Sequence, residues 1–399
     1  MIRNKMGLIP RYNWDYKLYD FVKAFASTWG FNSENTNQLG IVFGKKPIFT
    51  TSGRTSLYAI LKSLGLPEGS GVGVPLFCCP VVFEAVSEAR MTPIFIDITD
   101  DDYCISATDL QKKKKSISAL IAVHMFGHPV DMDSISDICG SIPIVEDCAQ
   151  SLFSKYKGKN TGFLSAVSFF SFRSGKYISA GEGSAIFCQD PVLYKNINIF
   201  TNNLAEWKFL QTISHCTATY IKSTLYKRPW YGTIGYPIGR LLDQKLNLTA
   251  KTGIDLKKIA KSDYRILNDR IGSFIDKVMK QRENAFFFLK NLKLNNVILP
   301  YEREECQSNY YQFAIRFRNK QQRDILSEFL FRHGIDSAKY LDEVVDVAKN
   351  NYGYKGDCPT AEQCSKAVLV IPNHYVLSDA DLSCIVKCVN EGNEQLASC

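Results

Sequence analysis

The chain has 399 residues, of which 45% are hydrophobic and 22% charged, and its net charge at neutral pH is +8. That length supports a large cored unit with a smaller one beside it, the composition is that of an ordinary globular protein, and no run of about 18 apolar residues marks a membrane-spanning helix. The mild positive excess suits anionic small molecules such as nucleotides, and no basic stripe with interleaved aromatics gives a nucleic-acid signature.

PIFTT (47–51) reads as a strand, and the following SGRTSLYAILKSLGL places Leu57, Ile60, Leu61 and Leu64 at helical spacing. GVGVPLF (71–77) is a second strand, followed by a helix in PVVFEAVSEA with Pro80 in its first turn. TPIFIDI (92–98), ALIAVHMF (119–126), PIVEDCA (143–149), AVSFFSF (166–172) and SAIFC (184–188) are short and almost continuously apolar, as strands buried on both faces are. Strands alternating with helices predict an α/β fold, a mostly parallel sheet sandwiched by helices. Residues 191–258 break this rhythm. Trp207, Leu210, Ile213, Tyr220, Ile221 and Leu225 suggest an amphipathic helix, and RPWYGTIGYPIGRLL (228–242) reads as loop. One long helix is expected from residue 258 to 293, then a strand in YYQFAIRF (310–317), a helix closed by Gly334, and a last helix capped by Ser378. The expected division is a large domain over 1–257 and an interdomain helix with a small α+β domain over 258–399.

Three places carry chemistry. Ser52-Gly53-Arg54-Thr55-Ser56 opens a helix after a strand, where free N–H groups and the helix dipole make an anion site; an ordinary capped helix start is the plainer reading. Asp147 ends the strand Pro143–Val145 with Glu146 beside it, at the carboxyl edge where open α/β sheets bind ligands. A carboxylate buried there needs a cation such as a protonated pyridine nitrogen, or it is a strand-end cap or ion-pair partner. Lys176, in SFRSGK ahead of the Ala180-Gly181-Glu182-Gly183 turn, sits between two apolar strands. Desolvation there would lower its pKa and make the amine nucleophilic, as Schiff-base chemistry needs; a surface loop lysine is the alternative. Ser171 and Arg173 are close enough in sequence to face a phosphate.

Together these motifs resemble the DegT/DnrJ/EryC1/StrS aminotransferases, pyridoxal phosphate (PLP) enzymes that aminate nucleotide-linked keto-sugars. The resemblance rests on SGRTSL (52–57), MTPIFIDITDDDYCI (91–105), AVHMFGHPVDMDSI (122–135), IVEDCAQS (144–151), FSFRSGKYISAGEGSAIF (170–187) and CPTAEQCSKAVLVIPNHYVLSDADL (358–382), in order and over most of the chain. It implies the aspartate-aminotransferase type of PLP fold and a homodimer. It implies that Lys176 binds the cofactor covalently and carries the proton, and that Asp147 keeps the pyridine nitrogen protonated. By the same resemblance Gln150 meets the ring's phenolic oxygen, and Gly53, Arg54, Thr55 and Ser171 contact the phosphate. Cys79 falls where the family often has an aromatic residue stacked on the ring. The family's Asn-x-Arg segment is replaced by DLKKIAKSD (255–263), and the 203–258 stretch is longer and more aromatic than usual. The donor implied is L-glutamate, within bacterial surface-polysaccharide or O-antigen synthesis.

Other readings stand beside this one: an aminotransferase for a lipid-linked sugar, a cyclitol or another ketone, a sugar 3-dehydratase, or a catalytically silent binding protein. The dehydratase branch replaces the lysine with histidine, whereas Lys176 is present here. The thirteen cysteines lack CxxC pairs, and the N-terminus lacks a secretory pattern, so a reducing cytoplasm is expected. His124 and His128 are too few for a zinc site.

Overall fold

The computed structural model describes residues 5–29, 37–245 and 253–397. A seven-stranded sheet forms its centre, built from β1 (Ile48–Thr50), β2 (Gly71–Pro75), β3 (Thr92–Ile96), β4 (Ala119–Val123), β5 (Ile144–Asp147), β8 (Val167–Ser171) and β9 (Ser184–Cys188). The short pair β6 (Lys155–Tyr156) and β7 (Lys159–Asn160) joins a small separate sheet with β10 (Cys306–Gln307). The order in the main sheet is β1-β9-β8-β5-β4-β2-β3. β9 runs antiparallel to both neighbours, and the pairings from β8 through β5, β4 and β2 to β3 are parallel. This is the α/β architecture that the alternating apolar runs predict, with helices packed on the sheet.

The strands are apolar because both faces are covered. β4 is buried at all five positions, and one core cluster joins Val72, Val74, Ile121, Val145, Val167 and Ile186 to the helices Gly53–Ser63 and Val81–Glu88. A second cluster lies in the C-terminal part. There β11 (Phe313–Arg316) pairs antiparallel with β12 (Val368–Ile371), and Leu326, Leu330, Ile385 and Val389 pack from the helices Lys320–Arg332 and Asp379–Ala397. Gly334 follows the first of these with φ +81°, and Ser378 caps the second, its Oγ accepting from Asp381 N at 3.1 Å.

Three expectations change. The predicted 258–293 helix is two helices, Lys261–Ile271 and Phe274–Asn291, broken at Gly272-Ser273. The predicted loop at 228–242 is mostly helical, a π-turn over Tyr231–Gly235 running into Tyr236–Lys245, because its apolar and aromatic residues outweigh its scattered glycines. The helix Phe209–Leu225 forms, but it buries Thr212, Cys216, Thr219 and Ser223 and leaves Leu210 75% exposed. Its inward face is narrow because it lies against the helix Leu18–Thr28 and the backbone at Trp14 and Tyr16, where small side chains fit. Ser223 Oγ accepts from Tyr16 N at 3.1 Å.

Candidate active site

The carboxyl ends of β4, β5 and β8 open into a cavity of about 400 Å³. Val123, Asp147, Phe169 and Ser171 supply the sheet side of its wall, and the start of the helix Gly53–Ser63 supplies another. Of the eight residues singled out in the sequence, Gly53, Arg54, Cys79, Asp147, Gln150, Ser171 and Lys176 line this one cavity. Thr55 does not. It is buried under the helix start, where its hydroxyl donates to the Asp255 carbonyl at 2.9 Å.

The anion end is a helix N-terminus capped by Ser52, whose Oγ accepts from Thr55 N at 3.2 Å. A methyl group on Gly53 would lie 3.3 Å from the Phe169 ring and 3.5 Å from Ser171 Cβ, so glycine lets the backbone come close. The Arg54 guanidinium is held by Glu84 at 2.8 Å and donates to the Gly253 carbonyl at 2.7 Å. It thus ties residues 253–255 over the helix start, and Asp255 joins the cavity wall. Residues 246–252 of the unusual 203–258 stretch lie outside the described residues.

Asp147 ends β5, nine-tenths buried, and accepts one hydrogen bond, from Ala149 N at 2.9 Å. Burial pushes its carboxyl above the ordinary range, against that hydrogen bond and the charge of Lys176. Its neighbour Glu146 points to the opposite face, as strand periodicity requires. It accepts from Gly162 N, Leu164 N, Ser165 N and Ser165 Oγ, and lies 3.1 Å from His124 Nε2. His124 Nδ1 accepts from Val130 N at 3.0 Å, which leaves its hydrogen on Nε2. With Cys148 these form the one group of potential metal ligands within reach of each other among the described residues. The ring nitrogens of His124 and the carboxylate oxygens of Glu146 are engaged in hydrogen bonds that anchor the end of β5.

Lys176 faces Asp147 from the loop after β8. Burial lowers its pKa below the ordinary 10.5, Cys79 and Asp147 oppose that shift, and Arg173 adds to it. Among the described residues its amine has no hydrogen bond or ion pair; it lies 5.0 Å from the Tyr311 ring centroid. The loop is rigid. Tyr311 Oη donates to the Gly175 carbonyl at 2.7 Å, Tyr177 Oη to the Asn309 carbonyl at 2.6 Å, and Arg270 to the Ser179 carbonyl at 3.0 Å. Gln150 Oε1 accepts from Phe126 N at 3.0 Å and its Nε2 donates to Tyr340 Oη at 2.9 Å. Cys79 is exposed at the mouth, just ahead of the helix Val81–Glu88.

Sequence reasoning missed Tyr340, Tyr311, Trp207 and Glu182. The first two come from the C-terminal part, and nothing local marks an aromatic residue there as facing a lysine far back in the chain. Glu182 lies in the noted glycine turn. Its amide donates to Asp263 at 3.2 Å, its side chain lines the cavity, and burial raises its carboxyl.

A buried lysine with a depressed pKa, a buried carboxylate short of a cation, and a helix N-terminus at one end of a single cavity define a PLP-dependent enzyme of the aminotransferase class. The donor set fits that cofactor: an anion site for its phosphate, Asp147 for its ring nitrogen, and Lys176 for its aldehyde. The chain belongs to the DegT/DnrJ/EryC1/StrS aminotransferase family, whose sequence profile matches residues 38–217 and 266–390. Among its relatives, the GDP-perosamine synthase of Escherichia coli O157:H7 is 26% identical over 345 residues, 86% of this chain and 84% of that one. The dTDP-3-amino-3,4,6-trideoxy-alpha-D-glucose transaminase of Streptomyces venezuelae is 32% identical over 162 residues, 40% of this chain and 43% of that one. The fold superposes on the crystal structure of the aminotransferase TlmJ from Streptoalloteichus hindustanus with a TM-score of 0.77 at 19% identity, covering 98% of this chain and 100% of that one.

Proposed function

We propose that this protein transfers an amino group from an amino acid, L-glutamate, to the carbonyl of a nucleotide-linked keto-sugar. The pathway would be bacterial surface-polysaccharide synthesis, of the O-antigen type, in the cytoplasm. The observation that carries this reading is that Lys176 and Asp147 share one cavity with the start of the helix Gly53–Ser63. The activities of the relatives support the substrate class, because a GDP-perosamine synthase and a dTDP-amino-sugar transaminase work on nucleotide-linked sugars.

When bound, PLP supplies an electron sink for breaking a bond at the carbon that bears nitrogen. The protein does the rest. Asp147 holds a proton at the pyridine nitrogen, where a cation offsets the cost of its own burial. Gln150, whose Nε2 now donates to Tyr340 Oη and Met125 Sδ, would turn an amide hydrogen to the phenolic oxygen. Ser52, Gly53 and Ser171 receive the phosphate, with Arg54 fixing the loop above it. The depressed pKa of Lys176 leaves Nζ available both as nucleophile and as the base and acid that carries the proton. Leu57, Val81, Val82 and Phe169 line the cavity with apolar surface that excludes water. Cys79 stands at the stacking position with less contact surface than an aromatic ring gives.

Homodimer formation belongs to the same proposal. Leu18, Tyr19, Val22, Trp29, Phe209, Leu210 and Ile221 are exposed on the paired helices Leu18–Thr28 and Phe209–Leu225, an apolar surface that a second copy would cover. So does the division near residue 257. Among the described residues no helix is long and apolar enough to cross a membrane.

The test is an absorption spectrum of the purified protein with PLP, before and after L-glutamate, followed by borohydride reduction and peptide mapping. A visible band that glutamate removes, with the label on Lys176, is expected; Lys176→Ala loses both the label and the activity. Absence of the band and the label would refute the proposal.

A further inference from the structure

Lys176 borders two spaces. Besides the main cavity it lines a smaller pocket of about 30 Å³ with Arg11, Asn13, Gln312, Asn373 and His374, and it is the one residue shared by the two walls. We propose that this pocket seats the head group of the amino donor, with Arg11 anchoring its carboxylate. The proposal rests on the transaminase reading above and adds the donor's place in it.

The first argument is a spare cation. Arg11 Nε lies 3.4 Å from Asp336 Oδ2, and the guanidinium makes no hydrogen bond among the described residues. Burial works against its charge, but Asp336, Tyr12, Tyr231 and Tyr226 together raise its pKa, so Arg11 stays cationic. Asp336 is partly engaged elsewhere, since Tyr231 Oη donates to it at 2.5 Å. A guanidinium offers five N–H donors in a planar fork that matches a carboxylate, and one long contact leaves that fork open.

The second argument is the set of unmet polar atoms. Five buried atoms without partners belong to the wall of this pocket: the donors Arg11 Nε and Asn13 Nδ2, and the acceptors Gln312 Oε1, Asn373 Oδ1 and His374 Nδ1. Asn373 Nδ2 donates to the Tyr310 carbonyl at 2.8 Å and His374 Nε2 faces the Pro10 carbonyl at 3.1 Å, so their remaining atoms are left as acceptors. Unpartnered buried polar groups are rare. A carboxylate alone would satisfy only the donors, whereas an α-amino acid brings a carboxylate for them and N–H hydrogens for the acceptors. The pocket has room for about two waters, so it takes only the carboxylate end of a donor, with the rest reaching past Lys176 toward the larger cavity, and a nucleotide does not fit.

The third argument is the support behind Arg11. Trp14 stacks on Tyr226 with ring centroids 4.3 Å apart, Tyr16 N donates to Ser223, and Tyr231 reaches Asp336. The atypical stretch after residue 203 thus holds the 11–16 segment beside Lys176.

The experiment compares the PLP-loaded protein with Arg11→Gln and Arg11→Lys. It measures KM for L-glutamate, KM for the sugar acceptor, and calorimetric binding of succinate, a dicarboxylate that cannot react. Losing a charge-assisted pair predicts that Arg11→Gln raises the donor KM and weakens succinate roughly ten- to a hundredfold. The acceptor KM should stay within about twofold, since Arg11 does not line the larger cavity assigned to the acceptor. Arg11→Lys should fall between and serves alone if the glutamine variant does not fold. An unchanged donor KM, unchanged succinate affinity, or a parallel rise in both KM values overturns the assignment. Arg11-dependent succinate binding without any transamination would sink the function proposed above and leave the carboxylate site standing.

Discussion

Lys176 shows how far a single residue can be read. Its flanking apolar strands and glycines predict a desolvated amine, and the structure supplies the reason: an enclosed position with only Cys79 and Asp147 opposing the loss of charge. The consequence is a pH profile. Because the folded pKa lies below 10.5, the neutral amine accumulates earlier, and the rate of PLP capture should rise with pH and level off below 10.5. Asp147→Asn removes one of the two groups that favour the charged form, so its midpoint should move lower still. Stopped-flow absorbance across pH measures both, and a midpoint at or above 10.5 would contradict the burial argument. Arg54 taught a further lesson. Its type and place beside the helix start suggested an anion contact, and the structure puts it in the cavity wall while also pairing it with Glu84 and the Gly253 carbonyl, partners remote in sequence.

At the scale of elements, the strands were legible because burial on both faces writes the same apolar run whatever the partner. The helix Phe209–Leu225 was legible as a helix but not in its orientation. Phe209, Leu210 and Ile221 turn outward, and the choice of inward face came from the close approach of the neighbouring backbone. The glycine turn before β9 is similar. Gly181 has φ +116°, and a Cβ there would stand 2.7 Å from Asp263 Oδ1 and 3.0 Å from His215 Nε2, which are themselves paired at 3.1 Å, with Asp263 Oδ2 closer at 2.8 Å. Gly181→Ala should therefore destabilise the fold by about 2 kcal/mol or more, through both backbone strain and displacement of that pair. Urea unfolding measures this, and a loss within about 0.5 kcal/mol, the size of an ordinary surface substitution, would show that the turn relaxes freely.

The whole molecule answers to acid through its buried groups. His128 is buried with Nε2 unpartnered, and burial depresses its pKa to about 4. Its unfolded value is about 6.5, so between these limits the unfolded chain binds a proton that the folded one refuses. Stability attributable to this residue is complete above about pH 6.5 and falls by roughly 1.4 kcal/mol per pH unit on the way down to 4. The raised carboxyls of Asp147, Asp263 and Asp336 act in the reverse sense, so the parent curve is a sum and the informative measurement is a difference. The stability gap between the parent and His128→Gln should narrow as pH drops from 6.5 to 4; a gap independent of pH would place the charge cost elsewhere. The sequence by itself determined the periodic runs of the sheet, the capped helix start after β1, and Lys176 and Asp147 as candidate site residues, because those signals lie within a few residues of one another. Only the tertiary structure decided that Thr55 turns away from the cavity, that Tyr340 meets Gln150 and Tyr311 meets Lys176, and that Arg11 shares a pocket wall with Lys176. Those facts depend on which segments distant in the chain come to share a wall, and no local pattern encodes that.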